Sequence, residues 1–239
     1  MLNFRSLLGA GAVACALLMP AGAARADQAY TLNNTFNGTA PTSTSPWLTA
    51  TFHTVATGEV VITLQANLNV ASEYIDAFAF NVDPSIALSH LSITVTPTTN
   101  PTLQALPTLS AQNAFNLSGA GAAGSGFDVL LGWSNSGAGG GAARFEGSEY
   151  VTVDVKDLAD DITASSFAFA NTGSAGAIVA AHVAGIPTAG GTSSGAIMNG
   201  PTVSNGGSVP APEPASMTLL AGALFGLGML TRRRGAKAA

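Results

Sequence analysis

The chain has 239 residues, 47% of them hydrophobic and only 9% charged, with a formal net charge of −5. An acidic chain this poor in lysine and arginine offers no basic surface to phosphate backbones, which excludes a nucleic-acid partner. It holds one cysteine, Cys15, and no paired Cys or His spacing of the kind zinc uses, so neither a metal nor a cofactor is expected.

At the N-terminus, Arg5 precedes an apolar stretch from Leu7 to Met19, and Ala24-Arg25-Ala26 stands before Asp27. A positive start, a short apolar core and a small-x-small tripeptide predict a secretory signal peptide over residues 1–26, cut between Ala26 and Asp27. Cys15 lies within this segment and does not follow the cut, so lipoprotein anchoring is not expected. The mature chain then has no thiol and no disulfide.

Residues 27–202 read as one exported domain, long enough to bury a core of its own. Charge is distributed unevenly. Between Asp27 and Val209 stand twelve acidic residues but only two basic ones, Arg144 and Lys156, for a net charge of −10. Such a segment is repelled by phosphate and by anionic membranes.

The periodicity within it is that of strands. Val151, Val153 and Val155 alternate with polar neighbours, Phe78 and Phe80 alternate within Tyr74–Val82, and Phe167 and Phe169 within Ser165–Phe169. Further strands are predicted over Trp47–Thr54, Glu59–Leu68, Leu88–Val95, Phe127–Trp133 and Ile178–Val183, separated by Gly, Pro, Asn and Ser clusters. No long amphipathic helix appears. The expected fold is all-β, an antiparallel sandwich of jelly-roll type.

Candidate chemistry in this domain is sparse. His53, His90 and His182 carry no spacing that marks a general base, and His182, in an apolar run, is expected to bond to backbone. Glu73, Asp76 and Asp83 are near one another in sequence and could supply the two carboxylates of a glycosidase. Asp157, Asp160 and Asp161 could contribute oxygens to calcium, without the full loop motif. Gly137 to Gly141 has no lysine after it and opens no helix, so it reads as a hairpin loop, not a phosphate cradle. Thr94, Thr96 and Thr98 alternate as in ice-binding rows, but Pro97 interrupts them. Trp47, Trp133 and Tyr74 are candidate platforms for sugar rings, or core residues. Asn33, Asn37 and Asn116 head formal glycosylation sequons.

Residues 203–211 are rich in Ser, Gly and Pro and read as a linker. Then come Pro212-Glu213-Pro214, an apolar run from Ala215 to Leu230, Arg232-Arg233-Arg234 and a short tail over 235–239. Sixteen residues reach ~24 Å as a helix, and snorkelling arginines extend the usable length toward a ~30 Å hydrocarbon core. The arginines favour the cytoplasmic side, which puts the domain across the inner membrane.

This tripartite tail resembles the C-terminal sorting signal of PEP-CTERM proteins. Phe78-Ala79-Phe80-Asn81, Gly126-Phe127-Asp128-Val129-Leu130 and Ala181-His182-Val183-Ala184-Gly185-Ile186 also resemble segments of small passengers of that family. The resemblance implies a Gram-negative host. It also implies an exosortase-type transpeptidase that recognises Pro212, Glu213 and Pro214, and a setting rich in exopolysaccharide. The chain would then be a substrate and not an enzyme, a carbohydrate-binding module being the alternative and a secreted hydrolase a third. Replacing Glu213 by alanine is expected to leave an unprocessed, membrane-held form, visible as a larger band in the inner-membrane fraction. Equal processing of wild type and variant would contradict this role.

Overall fold

A computed structural model describes residues 27–97, 99–101, 103, 105–109, 112–117, 126–133, 144–159, 161–171 and 176–200. The segments expected to be signal peptide, linker, membrane helix and sorting tail lie outside the described residues. Among the described residues, no helix is long and apolar enough to cross a membrane.

Eleven strands form among the described residues: β1 Gln28–Gly38, β2 Leu48–Ala56, β3 Glu59–Ala66, β4 Tyr74–Phe80, β5 Leu91–Pro97, β6 Ala105–Leu109, β7 Val129–Trp133, β8 Phe145–Glu146, β9 Tyr150–Asp157, β10 Val179–Thr188 and β11 Gly191–Asn199. All pairings are antiparallel, as expected of the all-β class. Hydrogen bonds link ten strands in one path, β5-β9-β3-β2-β1-β11-β10-β4-β7-β6, with β8 beside β4.

The path curls into a nearly closed barrel. From β2 to β4 it takes four strand-to-strand steps, about 19 Å in a flat sheet. Yet the Phe52 ring of β2 meets the Phe80 ring of β4 edge-on, with centroids 6.1 Å apart. Phe167 closes the triangle at 5.3 Å from Phe52 and 5.7 Å from Phe80. Only curling brings these rings together. Burial alternates along the strands as the pleat demands: Val151, Val153 and Val155 are buried, Thr152 and Asp154 half-buried.

Some elements depart from the sequence-based expectation. Leu88–His90 is a 3-10 turn before β5, not the start of a strand. Ala164–Phe167 is also a 3-10 turn, because Thr163 and Ser166 form a reciprocal capping box that bends the chain. Phe167 is buried all the same. On the outer face, the threonine alternation read along β5 extends across strands instead: Thr96 pairs with Thr152, Thr152 with Thr63 and Thr63 with Thr51. Such cross-strand pairs stabilise a sheet. Thr98 lies outside the described residues.

A glycine is needed where β10 passes the turn into β4. Gly185 sits at a bulge in β10 with φ +72°, and a Cβ there would lie 1.8 Å from the carbonyl oxygen of Ser72. Any side chain would push away the turn that leads into β4.

A second, smaller apolar cluster lies outside the barrel. Ala79, Ala180 and Ala177 face Leu117 and Phe127, and the 112–117 segment is held there by the Phe115–Phe127 bridge. The sheet is therefore covered locally on both faces.

Tyr30 packs edge-on against Phe52 at 5.6 Å. Its hydroxyl is buried and has no partner among the described residues, and burial raises its pKa from the usual 10 to about 12. The folded state keeps this proton where the unfolded state loses it. The associated stability is thus complete below pH 10 and disappears as pH rises toward about 12. Tyr30→Phe removes an unsatisfied polar group, so it is expected to leave stability unchanged or raise it by ~1 kcal/mol. It should also flatten the alkaline decline, as read by urea unfolding at several pH values. A loss above ~1 kcal/mol would mean that the hydroxyl has a partner.

Candidate functional site

The residues expected at the signal cut, Ala24 and Ala26, those expected to be read for sorting, Pro212, Glu213 and Pro214, and the arginines Arg232, Arg233 and Arg234 all lie outside the described residues. Asp27, the expected first residue of the mature chain, is described. Its carboxylate bonds to the Nδ1 of His53 on β2, immediately before β1 starts at Gln28.

The three carboxylates proposed for glycoside hydrolysis serve three different local tasks. Glu73 is fully buried at the turn into β4. Its Oε1 accepts the backbone N–H of Thr42 at 2.6 Å and the Thr42 hydroxyl at 2.7 Å. Its Oε2 accepts the backbone N–H of Ser43 at 3.2 Å and the Ser43 hydroxyl at 2.5 Å. Burial pushes the Glu73 pKa up, but the four hydrogen bonds together outweigh burial and hold it below the usual range. This group clasps the β1–β2 connection to β4 and has no oxygen left for chemistry.

Asp83 accepts the hydroxyl of Ser85 at 2.7 Å and its backbone N–H at 2.8 Å, bonds that lower the Asp83 pKa and shape a turn. Asp76 is engaged elsewhere, with His182. Each of these three carboxylates thus has its own separate partners.

The Asp76–His182 pair departs from the sequence reading, which gave His182 a backbone partner. His182 on β10 stands opposite Ala77 of β4, and Val183 stands opposite Ile75. Asp76 is therefore the extra residue of a bulge, and both Asp76 and Ala77 fall on the outer side while Ile75 and Phe78 stay in the core. The bulge brings Asp76 Oδ1 to 2.6 Å from His182 Nδ1. With a carboxylate as acceptor, Nδ1 carries the proton and Nε2 of the neutral ring is left as an acceptor.

The pair borders a shallow depression of about 300 Å³, lined also by Ala77, Asn116, Leu117, Leu130 and the buried Trp133. It adjoins the outer apolar cluster, so its floor is nonpolar and its rim polar.

Other candidates are occupied structurally. Trp47 is buried, and its indole N–H donates to the Ser43 carbonyl at 2.7 Å. Trp133 is buried against Phe145 at 5.2 Å. Tyr74 is half-buried with the Arg144 guanidinium 4.2 Å above its ring. None of the three is an open platform for a sugar. Asp157 accepts the backbone N–H of Ala159 at 2.8 Å, and Asp160 lies outside the described residues. Among the described residues, no three His, Cys, Asp or Glu side chains are grouped as a metal would need. The Gly137–Gly141 segment is not described.

Two features escaped the sequence reading. Gly191-Thr192-Ser193-Ser194-Gly195 has the Gly-x-Ser-x-Gly spacing of a hydrolase nucleophile. It lies along β11, not on a strand-to-helix turn, and Ser193 Oγ is bonded to Thr39 Oγ1 at 2.9 Å, a hydroxyl and not a histidine. Its spacing therefore carries no elbow. Asp128, buried, accepts the backbone N–H of Val82 at 2.9 Å and that of Asn113 at 2.6 Å. It ties the outer segment to the barrel, and nothing in its sequence neighbourhood signals such a task.

Compared with known protein families, with curated proteins and with solved structures, the chain matches none of them.

Glu73→Gln places an amide N–H₂ against groups that donate, and is expected to destabilise the domain by about 2–4 kcal/mol. Because the folded pKa is depressed, the stabilisation is present above pH 4.5 and is lost as pH falls below it. The variant should lack this acid dependence. A variant within ~0.5 kcal/mol of wild type in urea unfolding would contradict the clasp.

Proposed function

We propose that this chain is an exported bacterial surface or extracellular-matrix protein, delivered by its two ends and processed by an exosortase-type transpeptidase. Pro212, Glu213 and Pro214 act as recognition residues, and Arg232 to Arg234 hold the tail on the cytoplasmic side of the inner membrane during processing. The carrying observation is the agreement between these motifs and the edges of the domain. β1 begins at Gln28, one residue after the expected cut, and β11 ends at Asn199, ahead of the 203–211 linker. Both expected cuts lie outside the described strands.

The passenger is a binding or structural domain in this reading, not an enzyme. Its buried carboxylates are spent on backbone and hydroxyl donors. Its acidity suits a hydrated polysaccharide matrix, where net charge keeps protein soluble. The sandwich description belongs to the same proposal: β2 and β4 face one another through Phe52 and Phe80 as the two halves of a sandwich do.

The test is fractionation of the host bacterium with an antibody to the domain. The protein should be found outside the inner membrane, and enriched with extracellular polysaccharide. Retention in the inner membrane or cytoplasm would overturn the reading.

A further inference from the structure

The His182–Asp76 depression has a consistent chemistry. Nδ1–H of His182 is committed to Asp76 Oδ1, which leaves His182 Nε2 and Asp76 Oδ2 as acceptors without a partner among the described residues. Both belong to side chains about one-fifth exposed. Two acceptors at the rim of a pocket call for a ligand that donates. Neither Lys nor Arg lines the depression, and the domain has a net charge of −10, so an anion is repelled. Asn116 adds an amide to the wall, Ala77, Leu117 and Leu130 supply an apolar floor, and the buried Trp133, whose indole N–H has no partner among the described residues, completes the lining.

A sugar ring matches this arrangement. Its hydroxyls donate along the edge and its C–H face lies on nonpolar side chains. The volume of about 300 Å³ is at the small end of ligand sites. Bulges interrupt the ladder and re-aim side chains, often beside functional sites. This one aims Asp76 at His182 and fixes the ring's tautomer and orientation, as carboxylates do for working histidines.

We propose that the depression formed by Asp76, His182 and Asn116 over Ala77, Leu117 and Leu130 binds one ring of a hydroxyl-bearing, non-anionic sugar. Asp76 is a positioning residue for His182 as well as an acceptor. The site stands on its own chemistry and would take such a ring whether or not the ends of the chain are processed.

The chain has three histidines, so ¹⁵N-histidine labelling of the full-length protein gives three resolvable rings. The probes are methyl glucoside, methyl galactoside and glucosamine, with glucuronate as the anionic control. At least one non-anionic probe at millimolar concentration should move the ring nitrogens of His182 and leave those of His53 and His90 in place. Glucuronate should do nothing. In calorimetry, Asp76→Asn should weaken binding by about tenfold or more with the thermal midpoint retained. The proposal falls if none of the three sugars moves His182, if glucuronate binds equally, or if Asp76→Asn binds with unchanged affinity. None of those outcomes bears on where the protein fractionates, so the two readings fail separately.

Discussion

The contact of Phe52 with Phe80 and Phe167 is the constraint on which the rest of the domain depends. Strands four steps apart along the hydrogen-bonded path meet there, so the sheet must curl. Curling lets a chain with few large side chains enclose one core, because the inner positions of nearly every strand then face the same space. It also shortens the exposure of β5 and β6, the ends of the path, which as edge strands invite pairing with other chains. The outer face is left for polar rows, for a small apolar cluster under the 112–117 segment, and for the Asp76–His182 pair.

An acidic domain with so few cations must hold its buried carboxylates by other means. Arg144 lies over Tyr74, and Lys156 bridges Glu59 at 3.3 Å and Asp154 at 3.4 Å on the surface. Glu73 and Asp128 accept backbone N–H and hydroxyl groups instead. A buried carboxylate supplied with two or more donors is stable without a counter-ion, and each joins segments far apart in sequence. The same rule explains Asn199, whose Oδ1 accepts the N–H groups of Ile178 and Val179 at 3.0 Å each. Acidity here is partly architecture.

Strands with bulky inward residues were legible: β9 through its strictly alternating valines, and β4 through its phenylalanines despite the bulge at Asp76. β11, Gly191 to Asn199, was not, because glycine and serine have low strand propensity and its pattern lacks large apolar residues until Ile197. It forms because β1 and β10 pair with it on both sides. Ser165 to Phe169 misled in the opposite direction, since alternation there is produced by a capped 3-10 turn. The Asp76–His182 pair spans 106 residues and needs a bulge, which no local pattern reveals. Its polar neighbours were visible as residue types, never as a site.

The proposal stands or falls on whether the β-domain is delivered and then freed at both ends. The intact mass of the native protein from its own bacterium tests this directly. The account predicts a species that starts at Asp27 and ends near Pro212 to Pro214. A mass that retains the chain through Ala239 would contradict release at the sorting motif, and the domain would then be an ordinary anchored protein.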